Sequence, residues 1–108
     1  PNHGSPTLEH IVKEAFDKGF SDIHLGVGEV PRFRNRGEID VTNYPVTTLE
    51  TFMSWLKEIL SDEEIRRFQD TLDFDGATQY EFARVRINIF DALRGPSLVM
   101  GLIPLKIL

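Results

Sequence analysis

The stretch ARVRINIF, residues 83–90, decides the fold, because apolar and polar side chains alternate from Ala83 to Ile89. A period of two is typical of a β-strand that buries one face and leaves the other open. We therefore expect a strand over residues 81–90 whose valine and isoleucines point into a core. Arg84 and Arg86 would then lie together on the opposite face.

Five other segments carry weaker strand patterns bounded by glycine, proline or asparagine. These segments are Ser21–Leu25, Pro31–Arg36, Glu38–Val41, Leu72–Thr78 and Ser97–Ile103. The last is apolar at nearly every position, which favours a central strand buried on both sides. In the fourth we expect Leu72, Phe74 and Ala77 to point inward.

Three segments show the i, i+3, i+4 apolar spacing of amphipathic helices. The first is expected to begin at Pro6, with Ser5 as its cap, and to stop at Gly19. The expected caps of the other two are Thr47 with Glu50, and Ser61 with Glu64. The predicted buried positions are Leu8, Ile11, Val12, Ala15 and Phe16; Phe52, Met53, Leu56, Ile59 and Leu60; and Ile65, Phe68 and Leu72.

The predicted order of elements is therefore α-β-β-β-α-α-β-β-β. An α+β fold follows, with one antiparallel sheet and helices mainly on one of its faces. Strand alternation places one set of side chains on the face away from the helices. This set is Asp22, His24, Arg32, Arg34, Arg36, Arg84, Arg86 and Asn88. So many arginines on one face suggest contact with an anion or a second domain, although pairing with Glu38, Asp40 or Glu81 is the simpler alternative.

Composition narrows the class of protein. The chain has 108 residues, a net charge of −5 and no cysteine. This length fits one domain, and the acidic balance disfavours nucleic acid as the main partner. The lack of cysteine excludes disulfides and thiol catalysis.

Catalytic and metal-binding motifs are missing from the sequence. No Gly-x-x-x-x-Gly-Lys-Ser/Thr loop for phosphate is present, and the three histidines lack zinc-ligand spacing. Ser21, Asp22 and His24 lie close in sequence, but on a strand Ser21 should point away from Asp22, so they predict no catalytic triad. We expect no catalytic residue and no metal site, and the chain by itself is a binding or docking module.

Three stretches resemble the type IV pilus retraction ATPases, the PilT branch of the secretion ATPase superfamily. GFSDIHL at 19–25 is similar to the family's G-[AF]-S-D-[IL]-H-L strand, and PRFRNRGE at 31–38 to its P-x-[hydrophobic]-R-x-x-G hairpin. ARVRINIF at 83–90, Arg94-Gly95 and LIP at 102–104 resemble A-R-[FV]-R-[hydrophobic]-N-x-F … R-G … [hydrophobic]-I-P. One position departs from the pattern, since Gly101 stands where family members commonly carry arginine.

The resemblance implies a domain organisation. Residues 7–103 would be the PAS-like N-terminal domain, and 104–108 the start of a linker to a RecA-like ATPase domain. Residues 1–6 would be a disordered N-terminus or a cloning remnant. Such proteins form cytoplasmic hexamers at the inner face of the bacterial inner membrane, where ATP turnover drives pilus retraction and twitching motility.

The resemblance also implies partners and site residues. ATP with magnesium would be bound mainly by the RecA-like domain, and no cofactor is expected in this chain alone. The expected partners are RecA-like domains of its own and neighbouring subunits and the inner-membrane platform protein, with no nucleic acid. The arginines implied to approach ATP are Arg84, Arg86, Arg94 and Arg34. The implied interface residues are Asp22, His24, Arg32 and Arg36.

Two alternatives remain open at this point. A free-standing PAS-like sensory or ligand-binding module would have a cavity inside the fold, lined by residues such as Phe33, Trp55 and Phe68. A plain docking domain of an ATPase would use its arginines only to bind acids on the next subunit.

Overall fold

A computed structural model describes residues 6–105 of the chain, with three helices and six strands in the predicted order. Their bounds are α1 Leu8–Asp17, β1 Asp22–Gly26, β2 Arg32–Asn35, β3 Glu38–Val41, α2 Leu49–Ile59, α3 Asp62–Thr71, β4 Asp73–Gln79, β5 Ala83–Ala92 and β6 Gly95–Pro104. The predicted α+β class and element order are confirmed.

The six strands form one antiparallel sheet in the order β3-β2-β1-β6-β5-β4. The last strand, β6, lies in the middle, paired with β1 on one side and β5 on the other. Leu98 and Met100 of β6 are fully buried. The sequence prediction that the last strand is central is therefore confirmed. The prediction that it is buried on both sides is wrong, because only alternate residues are buried and Ile103 is 45% exposed.

The core lies between the three helices and one face of the sheet. The β5 side chains Val85, Ile87 and Ile89 are at most 3% exposed and join one cluster with apolar residues of all three helices. The Trp55 indole of α2 is buried too, and its N–H donates to the Pro6 carbonyl at 2.9 Å. This bond satisfies the polar atom of the largest core side chain, as burial of an indole requires.

The helix N-termini differ from the sequence prediction in two of three cases. Ser61 and Glu64 form the predicted capping box of α3. In contrast, α1 is capped by Thr7 rather than Ser5, and α2 by Thr48 rather than Thr47. Thr47 is instead buried, because its backbone N–H and carbonyl pair with the β1–β2 loop.

Helix α1 receives a second cap that local sequence does not show. The Glu58 carboxylate of α2 accepts from the backbone N–H groups of Leu8 at 2.8 Å and Glu9 at 3.1 Å. The first N–H groups of a helix have no partner within it, so an acid there completes their hydrogen bonding and offsets the helix dipole. This contact ties the start of α1 to the end of α2.

Two side chains that were predicted to point inward point outward instead. The backbone conformation causes this at Leu72, and the pairing between strands causes it at Ala77. Leu72 is the C-cap of α3, with a left-handed φ of 61°, and is 48% exposed. The strand therefore begins one residue later than predicted, at Asp73. Ala77 lies opposite Arg86 in the β4–β5 pair, which puts it on the face away from the helices.

The chain ends are described only in part. The predicted N-terminal extension of residues 1–6 lies outside the described residues except for Pro6, which accepts the Trp55 hydrogen bond. Strand β6 ends at Pro104, and residues 106–108 of the predicted linker are also outside. Within residues 6–105, each helix is too short or too polar to cross a bilayer.

Replacing Leu72 by glycine should stabilise the domain. A leucine in the left-handed region is strained, and relief of that strain exceeds the entropy that glycine adds to the unfolded chain, leaving a net gain of about 0.5 kcal/mol. Urea unfolding followed by circular dichroism measures the change.

The matched control is Leu93→Gly, at a fully exposed turn leucine whose φ is not positive. This variant should lose stability by roughly 0.5–1 kcal/mol, since glycine there adds only unfolded-state entropy. Equal effects of the two substitutions would contradict the strain at Leu72.

Candidate functional site

The face of the sheet away from the helices, here called the open face, carries the predicted site residues in rows. Cross-strand pairing brings one residue from each of the six strands into a line across the sheet, here called the central row. From β3 to β4 it consists of Ile39, Arg34, Asp22, Gly101, Arg86 and Ala77. The next row consists of Val41, Arg32, His24, Val99, Asn88 and Asp75.

Three of the predicted arginines are exposed and unpaired. Arg34, Arg84 and Arg86 point outward, and across residues 6–105 none of their guanidinium groups has an ion pair or hydrogen bond. For Arg84 and Arg86 the neighbours explain this lack of partners. Arg86 lies between Gly101 and Ala77, and Arg84 between Ile103 and Gln79, so their cross-strand positions hold no carboxylate. Arg34 lies opposite Asp22 on β1, but no ion pair joins these two side chains.

The simpler alternative of local neutralisation therefore fails for these three arginines. Among the described residues, Glu38, Asp40 and Glu81 make no ion pair with an arginine. A guanidinium without a local partner keeps its full set of donors for another molecule. The open face can therefore bind carboxylate or phosphate oxygens.

Arg32 and Arg94 are engaged within the domain instead. Arg32 donates to Glu29 at 3.2 Å, and its buried Nε atom has no partner. Arg94 lies in the β5–β6 turn and donates to the Gly28 carbonyl at 3.2 Å. These contacts hold the loops at one end of the sheet.

The structure does not bring all the predicted arginines together. Strand β5 extends about 26 Å from Arg84 to Ala92, which separates Arg94 from Arg84. Arg34 is three strands from Arg86 along the central row, about 14 Å between backbones. Arg36 lies in the β2–β3 turn at the edge of the sheet, one residue beyond the strand that was predicted to include it.

Asp22 and His24 lie on the open face as predicted, but they form no catalytic triad. Ser21 precedes β1, and its hydroxyl donates to Asp22 at 2.8 Å, so the expectation that Ser21 points away is wrong. Within the described chain, His24 makes no hydrogen bond to either residue. Without an imidazole linked to the hydroxyl, the general base of a catalytic triad is missing.

The sequence analysis missed two apolar members of this face. Ile39 and Val41 are 65% and 61% exposed, and they lie opposite Arg34 and Arg32 in the β2–β3 hairpin. The short turn at Arg36-Gly37 was the available signal, because pairing of Asn35 with Glu38 fixes which β3 residues share the arginine face. An exposed apolar strip beside arginines is typical of a protein interface.

A cleft of about 500 Å³ occupies the middle of the open face. Its lining residues are Asp22, Asp75, Gly76, Arg86, Ile87, Asn88, Val99 and Gly101. Gly101 is the position at which the sequence departs from the family pattern quoted in the sequence analysis. Among residues 6–105, no group of three or more histidine, aspartate or glutamate side chains is placed to hold a metal ion.

The pKa of His24 is lowered from its usual value of 6.5, mainly by burial and then by the charges of Arg32 and Arg34. Replacing Arg32 by glutamine should therefore raise this pKa, as followed by NMR titration of the imidazole. The control Arg36→Gln, at the sheet edge, should leave it unchanged. An unchanged pKa in Arg32→Gln would contradict the electrostatic cause.

The same shift sets a pH dependence of stability. Below pH 6.5 the unfolded chain protonates this histidine more readily than the folded domain, so stability falls as the pH drops. His24→Gln removes that difference and should lose less stability than the wild type between pH 7 and pH 5. Urea unfolding at both pH values measures it.

Comparison with known proteins gives one sequence relative and a consistent fold, although no family model matches. The chain is 30% identical over 92 residues to the type IV pilus retraction ATPase PilT of Pseudomonas aeruginosa, covering 84% of the chain and 27% of that protein. Among solved structures it is similar to the pilus retraction motor PilT with bound ADP, with a TM-score of 0.83, 24% identity and coverage of 95% of the chain and 31% of the motor.

A second solved structure, the Legionella pneumophila ATPase DotB, has a TM-score of 0.81 at 15% identity and covers 92% of the chain and 29% of DotB. The chain thus spans about a third or less of the length of each of these proteins. The sequence match and the shared fold together show that the chain belongs to the PilT family and corresponds to the N-terminal domain of a family member.

Proposed function

We propose that the chain is the PAS-like regulatory and oligomerisation domain of a hexameric ATPase that powers type IV pilus retraction and twitching motility. The observation that carries this proposal is the open face, where Arg84 and Arg86 are exposed and unpaired in a domain with the PilT N-terminal fold. The name of its relative, a pilus retraction ATPase, supports the activity of the whole protein.

In this proposal the open face meets a nucleotide-bearing RecA-like domain of its own or a neighbouring subunit. Arg84 and Arg86 lie two residues apart on one face of β5, about 7 Å between backbones, so both can contact one phosphate group. ATP with magnesium is held mainly by the RecA-like domain, and this chain contributes guanidinium donors toward its phosphates. The similar retraction motor has ADP bound, which supports nucleotide binding by the whole protein.

Nucleotide state can then set the angle between domains. A γ-phosphate adds charge that Arg84 and Arg86 bind, and its release removes that contact. Because the contact differs between the two states, it shifts the equilibrium between domain arrangements. Arg34 is the third candidate, at the far side of the central row, while Arg94 contributes by holding the loop at Gly28 rather than by reaching phosphate.

The interface role belongs to the β2–β3 hairpin and its neighbours. Ile39 and Val41 supply apolar contact area, and Arg32, Arg36 and Asp22 supply charge around it. We place the assembled protein in the cytoplasm at the base of the pilus, against the inner-membrane platform protein.

The free-standing sensory module is the weaker candidate. Phe33 and Phe68, two of the residues expected to line an internal cavity, pack in the core at no more than 4% exposure. The third, Trp55, borders a surface groove of about 390 Å³ with Pro31 and Tyr44. The packed core therefore favours a docking role over an enclosed ligand site.

The double substitution Arg84→Gln and Arg86→Gln in the full-length protein tests the proposal. We expect at least about a tenfold loss of ATP turnover with the hexamer intact, since transition-state charge loses its arginine partners. Steady-state ATPase rates and analytical ultracentrifugation measure the two properties.

The matched control is Arg66→Gln, an exposed arginine on α3 that lies away from the open face. Its turnover should equal that of the wild type. Loss of the hexamer in the double variant would instead support a plain docking role for these arginines, and unchanged turnover would reject both roles.

A further inference from the structure

Gly101 is a glycine that the fold itself does not require. Four of the seven described glycines have a positive φ, and a side chain at two others would collide with a neighbour at 2.8 Å or less. The first group is Gly19, Gly28, Gly37 and Gly95, and the second is Gly26 and Gly76. At Gly101 φ is not positive, and a Cβ atom would meet nothing nearer than 3.6 Å, which is ordinary contact.

The missing side chain leaves a gap in the central row. Gly101 pairs with Asp22 on β1 and with Arg86 on β5, so its position lies between an acid and a base. A glycine within a strand weakens it and often marks a place where another group approaches closely. Because no internal contact explains Gly101, the gap points to a group from outside the domain.

The walls of the gap determine which chemistry it accepts. A Cβ atom at Gly101 would lie 3.6 Å from the Asp22 carboxylate oxygen Oδ1 and 4.0 Å from the Arg86 Cβ atom. The near polar neighbour is therefore an anion, and the near base presents its aliphatic stem. Val99 adds apolar lining, while the Asp75 carboxylate accepts a hydrogen bond from the Asn88 amide at 2.6 Å. Arg34 lies opposite Asp22 on the far side from the gap, and the Asp22 oxygen Oδ1 is the one that faces the gap.

We infer that this gap is the binding site for an arginine or lysine side chain supplied by another polypeptide. This side chain lies over Gly101 and pairs with Asp22. An aliphatic stem can pack on Val99 and on the stem of Arg86, while the charged end reaches the Asp22 carboxylate. This inference extends the proposed docking role by naming the chemistry of the partner side chain.

The test uses the 108-residue chain and a defined probe, N-acetyl-arginine amide, followed by ¹⁵N amide chemical shifts. We expect shifts centred on Gly101, Asp22 and Val99, and no such shifts with N-acetyl-citrulline amide, which has the same shape without the charge. Asp22→Asn should weaken binding about tenfold, because a charged hydrogen bond is lost.

Two further variants test the role of the gap. Gly101→Leu should abolish binding, because the leucine side chain would fill the gap. Ala77→Leu, on the other side of Arg86 in the central row, should leave binding unchanged. Gly101→Ala should fold with an unfolding midpoint at least equal to that of the wild type. A destabilised Gly101→Ala would mean that the fold needs this glycine and would overturn the inference.

Other outcomes would also contradict a binding site at Gly101. Equal shifts with the citrulline probe, or binding that survives Asp22→Asn, would show that the Asp22 carboxylate does not bind the charged side chain. Absence of shifts would mean that the cleft does not bind a guanidinium and would overturn the inference. These measurements involve no nucleotide, so they can fail while the arginine variants of the whole protein still behave as proposed.

Discussion

The rest of the structure depends on the pairing of β6 between β1 and β5. Without the last strand, the sheet would separate into the N-terminal strands β1 to β3 and the β4–β5 hairpin. Its insertion aligns residues that are distant in sequence, so that Asp22 and Arg86 come to lie on either side of Gly101. The open face is therefore a product of this one long-range register.

Burial of the inner face of the sheet explains why the open face carries the charged side chains. The three helices cover only the inner face, and the alternate side chains of β5 must then meet either the core or the outside. Arg84 and Arg86 stay unpaired because register gives them small, apolar or amide neighbours. Guanidinium groups in such positions have lost little hydration and remain ready to bind another molecule.

The arrangement also divides the predicted arginines by role. Arg84 and Arg86 are side by side on β5, while Arg94 holds the far end of the sheet through Gly28. Arg32 is committed to Glu29 and lowers the pKa of His24 with help from Arg34, after burial, which is the larger cause. A sequence motif that groups these residues therefore corresponds to two separate places in the fold.

The sequence by itself determined the element order, the core side of β5 and the capping box of α3, because these features follow from local periodicity and spacing. It could not fix the caps at Thr7 and Thr48 or the outward turn of Leu72, since a shift of one or two residues costs little locally and packing selects among the options. Only the tertiary structure decided which arginines find partners and that Gly101 opens a cleft. Those properties depend on the register between strands far apart in the chain, which no local pattern encodes.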